Sequence, residues 1–219
     1  MRKGVNKMRE LGELSAKYES CGDPASVSCS SGDAGGVSYG VYQFATNCGV
    51  PQAFVDWLQE QPEPWANYGR VLASSGQPGE LTFSACWKDI GETDPVGFGQ
   101  LQHDYVKAVY YDNAAQLLRE QFGFEIESRS EALKQVLWSR AVQYSAHWMP
   151  ELFQNAADMA EKSLNEIDDA DLIANIYEVN LTDPSWTSGS PSLRPGLFNR
   201  FENERAEALA LLREERGEG

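Results

Sequence analysis

A chain of 219 residues with 42% hydrophobic and 11% aromatic content has enough apolar material for a full core, as one domain or one domain with two lobes. Its 18 Lys and Arg against 33 Asp and Glu leave a net charge of −15, which repels a phosphate backbone and excludes nucleic acid as a partner. Charges interrupt every apolar stretch well short of the roughly 18 residues that a membrane-spanning helix needs, so membrane insertion is excluded as well.

The opening "MRKGVNKMRELGEL" is basic but has no continuous apolar run and no small-residue cleavage site, so no secretory signal peptide is expected there. Val5, Met8, Leu11, Leu14 and Tyr18 recur at steps of three or four, which predicts a helix with one apolar face, stopping near Gly22-Asp23-Pro24. From Ser26 to Phe44 the pattern changes to short alternations of Ser, Gly, Val and Tyr around the turn "GDAGG", the signature of a small ribbon. Helical stripes then resume: Phe54, Trp57 and Leu58; Phe98, Leu101, Tyr105, Val109 and Tyr110; Leu133, Val136, Leu137 and Ala141. Two more follow, Leu172, Ile173, Ile176 and Tyr177, and then Phe198, Phe201, Leu209 and Leu212. The loops "EQPEP", "GQPG" and "SGSPSLRPG" punctuate them. The expected fold is mainly α, one domain over residues 1–219, with a small β-ribbon lobe at about 20–48 and a helical lobe at about 50–216.

Four cysteines, Cys21, Cys29, Cys48 and Cys86, form no CxxC pair, and His103 and His147 lie far from them in sequence. That spacing supports no metal site. Either a bridge such as Cys21 to Cys29 or buried free thiols fits the pattern.

The chemistry-bearing candidates are at the front. Glu19 falls in the last turn of the expected first helix, beside Tyr18. Both the negative end of the helix dipole and partial burial favour its protonated form, which is what a general acid requires. Asp33 follows in a glycine-rich turn, where a carboxylate stays solvated and ionised. Two carboxyls in contrasting environments are the minimal equipment for glycoside hydrolysis. The plain alternative is a solvated helix-end acid and a turn former.

The stretch "ESCGDPASVS" followed by "SYGVYQF" is similar to the signature of the lysozyme-like superfamily, which includes goose-type lysozymes and soluble lytic transglycosylases. "GDAGG" looks like the Gly-Asp turn of the goose-type branch, and "QHDYV", "RSEAL" and "WSRAVQ" resemble lysozyme-like domains of phage lysins and bacterial cell-wall proteins. Cys21 departs from that pattern. The resemblance implies a lysozyme-like fold with a cleft between two lobes. It makes Glu19 the general acid and Asp33 the residue that activates water, with Ser28, Tyr39, Gln43, Gln102, His103 and Gln143 contacting the glycan. Trp138 and His103 also read as core residues. The implied function is a muramidase acting on peptidoglycan or a related amino-sugar polysaccharide, inverting, without cofactor, monomeric, and set in a phage-lysin, virion-associated or effector context. The alternatives are a chitosanase-like hydrolase, which the acidic surface suits because it attracts a cationic polymer; a lytic transglycosylase; a cysteine peptidase or amidase; and a non-enzymatic, glycan-binding structural component of a phage particle.

Overall fold

The computed structural model describes residues 10–16, 22–29, 36–187 and 194–218. Most of the first predicted helix lies outside them; within them α1 spans Glu13–Ala16. The chain is mainly helical with a small three-stranded antiparallel sheet, and it divides into two compact units, Ala16–Lys107 and Met1–Ser15 with Ala108–Gly219. No helix among the described residues is long and apolar enough to cross a membrane.

The first unit holds the sheet, β1 (Val27–Cys29), β2 (Val37–Tyr39) and β3 (Phe44–Ala45), in the order β1-β2-β3. Ser28 lies opposite Ser38, and Tyr39 opposite Val27 on one side and Phe44 on the other. Four helices follow: α2 (Val50–Gln59), α3 (Trp65–Ser74), α4 (Leu81–Thr93) and α5 (Pro95–Val106). Pro95 opens α5 where its missing N–H costs nothing, and the Asp94 carboxylate caps it by accepting from the Gly97 amide at 2.9 Å. Tyr39, Phe44, Phe54, Phe83, Trp87 and Phe98 are all buried, and Trp87 packs edge-on against Phe98 at 4.9 Å. These rings tie the sheet to α2, α4 and α5. Gly91 on α4 has its position set by backbone, since a Cβ there would lie 2.5 Å from Ala25 Cα.

The second unit is built from α6 (Asn113–Phe122), α7 (Glu131–Tyr144), α8 (Met149–Asp158), α9 (Asp169–Thr182) and α10 (Arg194–Arg216). Leu133, Val136, Leu137, Trp138 and Ala141 of α7 are all fully buried, and so are its polar residues Ser139 and Arg140. A helix covered on every side must have its polar groups satisfied internally. Its N-terminus is held by Ser130 Oγ, which accepts from the Leu133 amide at 3.2 Å, and by the Glu215 carboxylate, which accepts from Glu131 and Ala132 amides at 3.1 and 2.8 Å. Gln135 binds the N-terminal segment, accepting from the Gly12 and Leu14 amides at 3.0 and 3.3 Å and donating to the Glu10 carbonyl at 2.8 Å.

Farther along α7, Arg140 and Glu204 of α10 form an ion pair with no exposed side-chain surface on either partner. Glu204 also accepts from Ser139 Oγ at 2.8 Å, Arg200 Nε at 2.7 Å and the Tyr177 hydroxyl at 3.2 Å. The Arg140 guanidinium lies over the Tyr177 and Phe201 rings at 5.0 and 4.9 Å.

Each of the five stripes read from the sequence falls in a helix, and the ribbon region contributes the strands. Val109 and Tyr110 depart in detail: they sit in a π-helical segment, Lys107–Asp112, where the spacing predicts a continuing α-helix. Helices α3, α4, α6 and α8 are not among the stripes named from the sequence, although Phe83, Trp87 and Ile90 of α4 and Met149, Leu152, Phe153 and Ala156 of α8 recur at helical spacing.

Burial alone raises the Glu204 pKa, but the Arg140 and Arg200 charges and the hydrogen bonds outweigh it and hold the group below its ordinary 4.5. A depressed folded-state pKa contributes stability that is present above the unfolded value and lost as the pH falls through the folded one. Urea midpoints should therefore drop as the pH goes below about 4.5. Glu204→Gln should be less stable than the wild type at pH 7, with the difference narrowing on acidification; a constant difference would mean that Glu204 does not titrate in this window. At pH 7, Arg140→Met should cost about 3–5 kcal/mol, the scale for stranding one partner of a buried pair.

Candidate functional site

Ser28, Tyr39 and Gln43 lie on or beside a tight loop between β2 and β3. Gly40 turns the chain at φ 68° and Gln43 holds the left-handed φ of 51°, a conformation that a non-glycine residue adopts only when neighbours fix it. The fixing contacts are present. Gln43 Nε2 donates to the Gly40 carbonyl at 3.0 Å, and its Oε1 accepts from the exposed Ser28 hydroxyl at 2.8 Å. Ser26 Oγ donates to the same Gly40 carbonyl at 3.0 Å, while the Gly40 amide donates to the Ser26 carbonyl at 2.8 Å.

Gln102, fully buried on α5, joins this loop to the preceding segment. Its Oε1 accepts from the Val41 amide at 2.8 Å and its Nε2 donates to the Pro24 carbonyl at 3.0 Å. The Trp87 indole N–H donates to that carbonyl too, at 2.9 Å. Gly40 packs so closely on Gln102 that a Cβ would come within 2.2 Å of its Oε1. Both ends of the amide are used inside the fold, where Gln102 acts as a structural clamp.

Tyr39 is likewise engaged inside the fold. Its ring is fully buried against Phe83 and Trp87, at 5.3 and 5.1 Å. Its hydroxyl lies 2.7 Å from Ser84 Oγ and accepts from the Gly79 amide at 2.9 Å. No ring face is left for stacking.

His103 is half-buried, with Nδ1 2.7 Å from the Tyr42 hydroxyl; the imidazole tautomer decides which of them donates. Ser28, Gln43, Tyr42 and His103 are the candidates that keep some surface in this unit. Gln143 belongs to the other unit, in the last turn of α7, where its Oε1 is buried without a partner. Glu19 and Asp33 lie outside the described residues, as do the Cys21 and Cys29 side chains. Cys48 and Cys86 are free thiols, with burial pushing the Cys86 pKa up.

Sequence reasoning missed Tyr42, Ser26 and Thr46, which accepts from the Val37 amide through Oγ1 at 3.0 Å. The signal for Tyr42 is present in "SYGVYQF": with Tyr39 and Phe44 in register on the sheet, the intervening tyrosine belongs to the turn.

A loop stapled by buried amides, with a modest polar face beside it, defines a folded module with a hydrogen-bonding surface. The chain belongs to the family of type VI secretion system spike proteins, VgrG3-like, C-terminal, whose model matches residues 11–205. It is 30% identical over 203 residues to the type VI secretion system spike protein VgrG3 of Vibrio cholerae serotype O1. That match covers 92% of this chain and 19% of the relative, so the chain spans about a fifth of the length of the protein it resembles.

These findings correct the identification and what hung on it. Membership in the spike-protein family replaces the assignment to goose-type lysozymes, transglycosylases and phage lysins. The glycoside-hydrolase assignment, with peptidoglycan or a related polysaccharide as substrate, is corrected with it: the family and the relative that match are named for a secretion-system spike protein, not for a hydrolase. The physical basis of the misreading is visible in the loop. Pro24, Gly40, Gln43 and Gln102, which resemble a catalytic signature, are bonded to one another and shape the backbone.

Gly40→Ala should destabilise the protein by about 2 kcal/mol or more, from positive φ combined with overpacking. Gln102→Leu should cost about 1–3 kcal/mol by removing the buried hydrogen bonds to the Val41 amide and the Pro24 carbonyl. Because the two residues touch, urea denaturation of Gly40→Ala/Gln102→Ala should give less than the sum of its single variants; strict additivity would mean that the contact is absent.

Proposed function

We propose that this chain is a non-catalytic module carried by a type VI secretion spike protein, a structural component that contacts other parts of the assembly and travels with it. The family match across residues 11–205 is the observation that carries this reading. The location that follows is association with a secretion system. Within the module, the face bearing Ser28, Gln43, Tyr42 and His103 is the contact surface we assign to the sheet-bearing unit. It presents hydroxyl, amide and imidazole groups, and the stapled loop beneath holds them in place.

The test has two arms. A spike protein carrying this chain should reach the culture medium only from cells with a working type VI apparatus, and the tagged module should be recovered with the spike. Independent appearance of the module, or export without the apparatus, would overturn the spike assignment. In the second arm the purified chain is incubated with peptidoglycan and with chitosan, and new chain ends are identified. No new reducing or anhydro ends are expected. Their release at a catalytic rate would overturn the non-catalytic reading.

A further inference from the structure

The helical unit carries an open groove of about 420 Å3 that the sheet-bearing loop does not involve. Three segments line it. Helix α6 contributes Gln116, Leu117 and Glu120, spaced to lie on one stripe. The π-helical segment contributes Val109 and Tyr110, and the turn after α7 contributes Ser145, Ala146 and His147.

Two departures from ordinary backbone meet at this one place. The π segment Lys107–Asp112 interrupts the helical run, and single π turns concentrate at functional sites. Ser145 stands at φ 75°, ψ 152°, a region that is essentially glycine's own and that recurs at ligand-contacting positions. Beside them Trp148 is 48% exposed, its ring 5.4 Å from that of His147.

The electrostatics choose the occupant. No lysine or arginine lines the groove. Glu120 accepts from Gln116 Nε2 at 2.7 Å and pairs with no cation among the described residues. An anionic partner meets that carboxylate and a chain of net charge −15. A purely apolar partner would desolvate Glu120 without compensation. A basic side chain meets both demands, since its aliphatic stem covers apolar surface while its head stays with a carboxylate.

We propose that this groove docks a lysine or arginine side chain of a partner polypeptide, the stem along Val109, Leu117 and Ala146 and the cation at Glu120. The proposal rests on the reading of the chain as a spike-borne module that contacts other proteins, and it names the chemistry of one such contact.

The test uses the full chain, 15N-labelled, titrated with the capped tripeptide acetyl-Leu-Arg-Leu-amide, its citrulline counterpart and maltotriose. The arginine peptide should shift the amide signals of Val109, Gln116, Leu117, Ser145 and His147. Citrulline in place of arginine, or Glu120→Gln in the protein, should weaken binding about three- to fivefold, the scale of an exposed ion pair. Glu120 is exposed, so the variant's spectrum away from the groove serves as the check that it folds. Absence of groove shifts, equal response to citrulline, a response to maltotriose in the same place, or shifts that grow with protein concentration alone would each overturn the proposal. The spectra read binding directly and take no input from the delivery assay, so failure of the groove and failure of the spike reading are separate results.

Discussion

The sheet-bearing unit depends on one buried amide. Gln102 reaches from α5 to both the Pro24 carbonyl and the Val41 amide, two backbone groups that lie in turns outside the strands and helices. A loop carrying unpaired backbone groups cannot be buried, because each such group forfeits its hydrogen bonds to water. A single side chain that donates at one end and accepts at the other resolves this for both segments at once. Other choices follow from its position. Gly40 has no Cβ to collide with it, and Trp87 shares the Pro24 carbonyl. Ala25 is small where it meets Gly91. The aromatic core then closes over a segment whose polar groups are already paired.

The helical unit solves the same problem with charge. Helix α7 is covered on every side, so it has no polar face to turn outward. It carries Ser139 and Arg140 inward and meets them with Glu204, Tyr177 and Asn180 from neighbouring helices. Such a pair adds little net stability compared with an apolar replacement, but a displaced α10 would leave two charges buried and unpaired. The pair therefore acts on alignment: it penalises every other seating of α10 against α7. Arg200 on the exposed side of the pair, and Glu215 capping α7 from the far end of α10, fix that helix at two points along its length.

Much of this fold is legible in the sequence, and the reasons for the gaps are physical. Leu133, Val136, Leu137 and Ala141 announce α7 because apolar residues at helical spacing have few other uses. Helix α4 is less visible: in "LTFSACWKDIGET" Phe83, Trp87 and Ile90 form one buried stripe, but Leu81, 90% exposed, lies off it and blurs the pattern. The π turn at Lys107–Asp112 is invisible to periodicity, because one extra residue in a turn changes no residue type. At the candidate site the ribbon and its turn are readable from glycines and alternation. The direction of each side chain is not: Tyr39 and Tyr42 are three residues apart in the same motif, yet one is fully buried and the other reaches His103.

That last contrast explains why a motif can report a fold and mislead about chemistry. A tight loop laid on a helical core needs glycine at positive φ, a short polar side chain to close the turn, and an amide able to bond both ways. Those are the residue types a binding loop also uses, so "SYGVYQF" satisfies the description of a catalytic loop while its amides and glycine are committed to the backbone. The discriminating property is the number of hydrogen-bonding atoms left over once the loop is built. For Gln102 and Tyr39 the polar atoms are bonded within the fold and the side chains are buried. Ser28, which also braces Gln43, and the Tyr42–His103 pair keep surface once the loop is built, which is why the proposed contact surface of this unit is drawn on them.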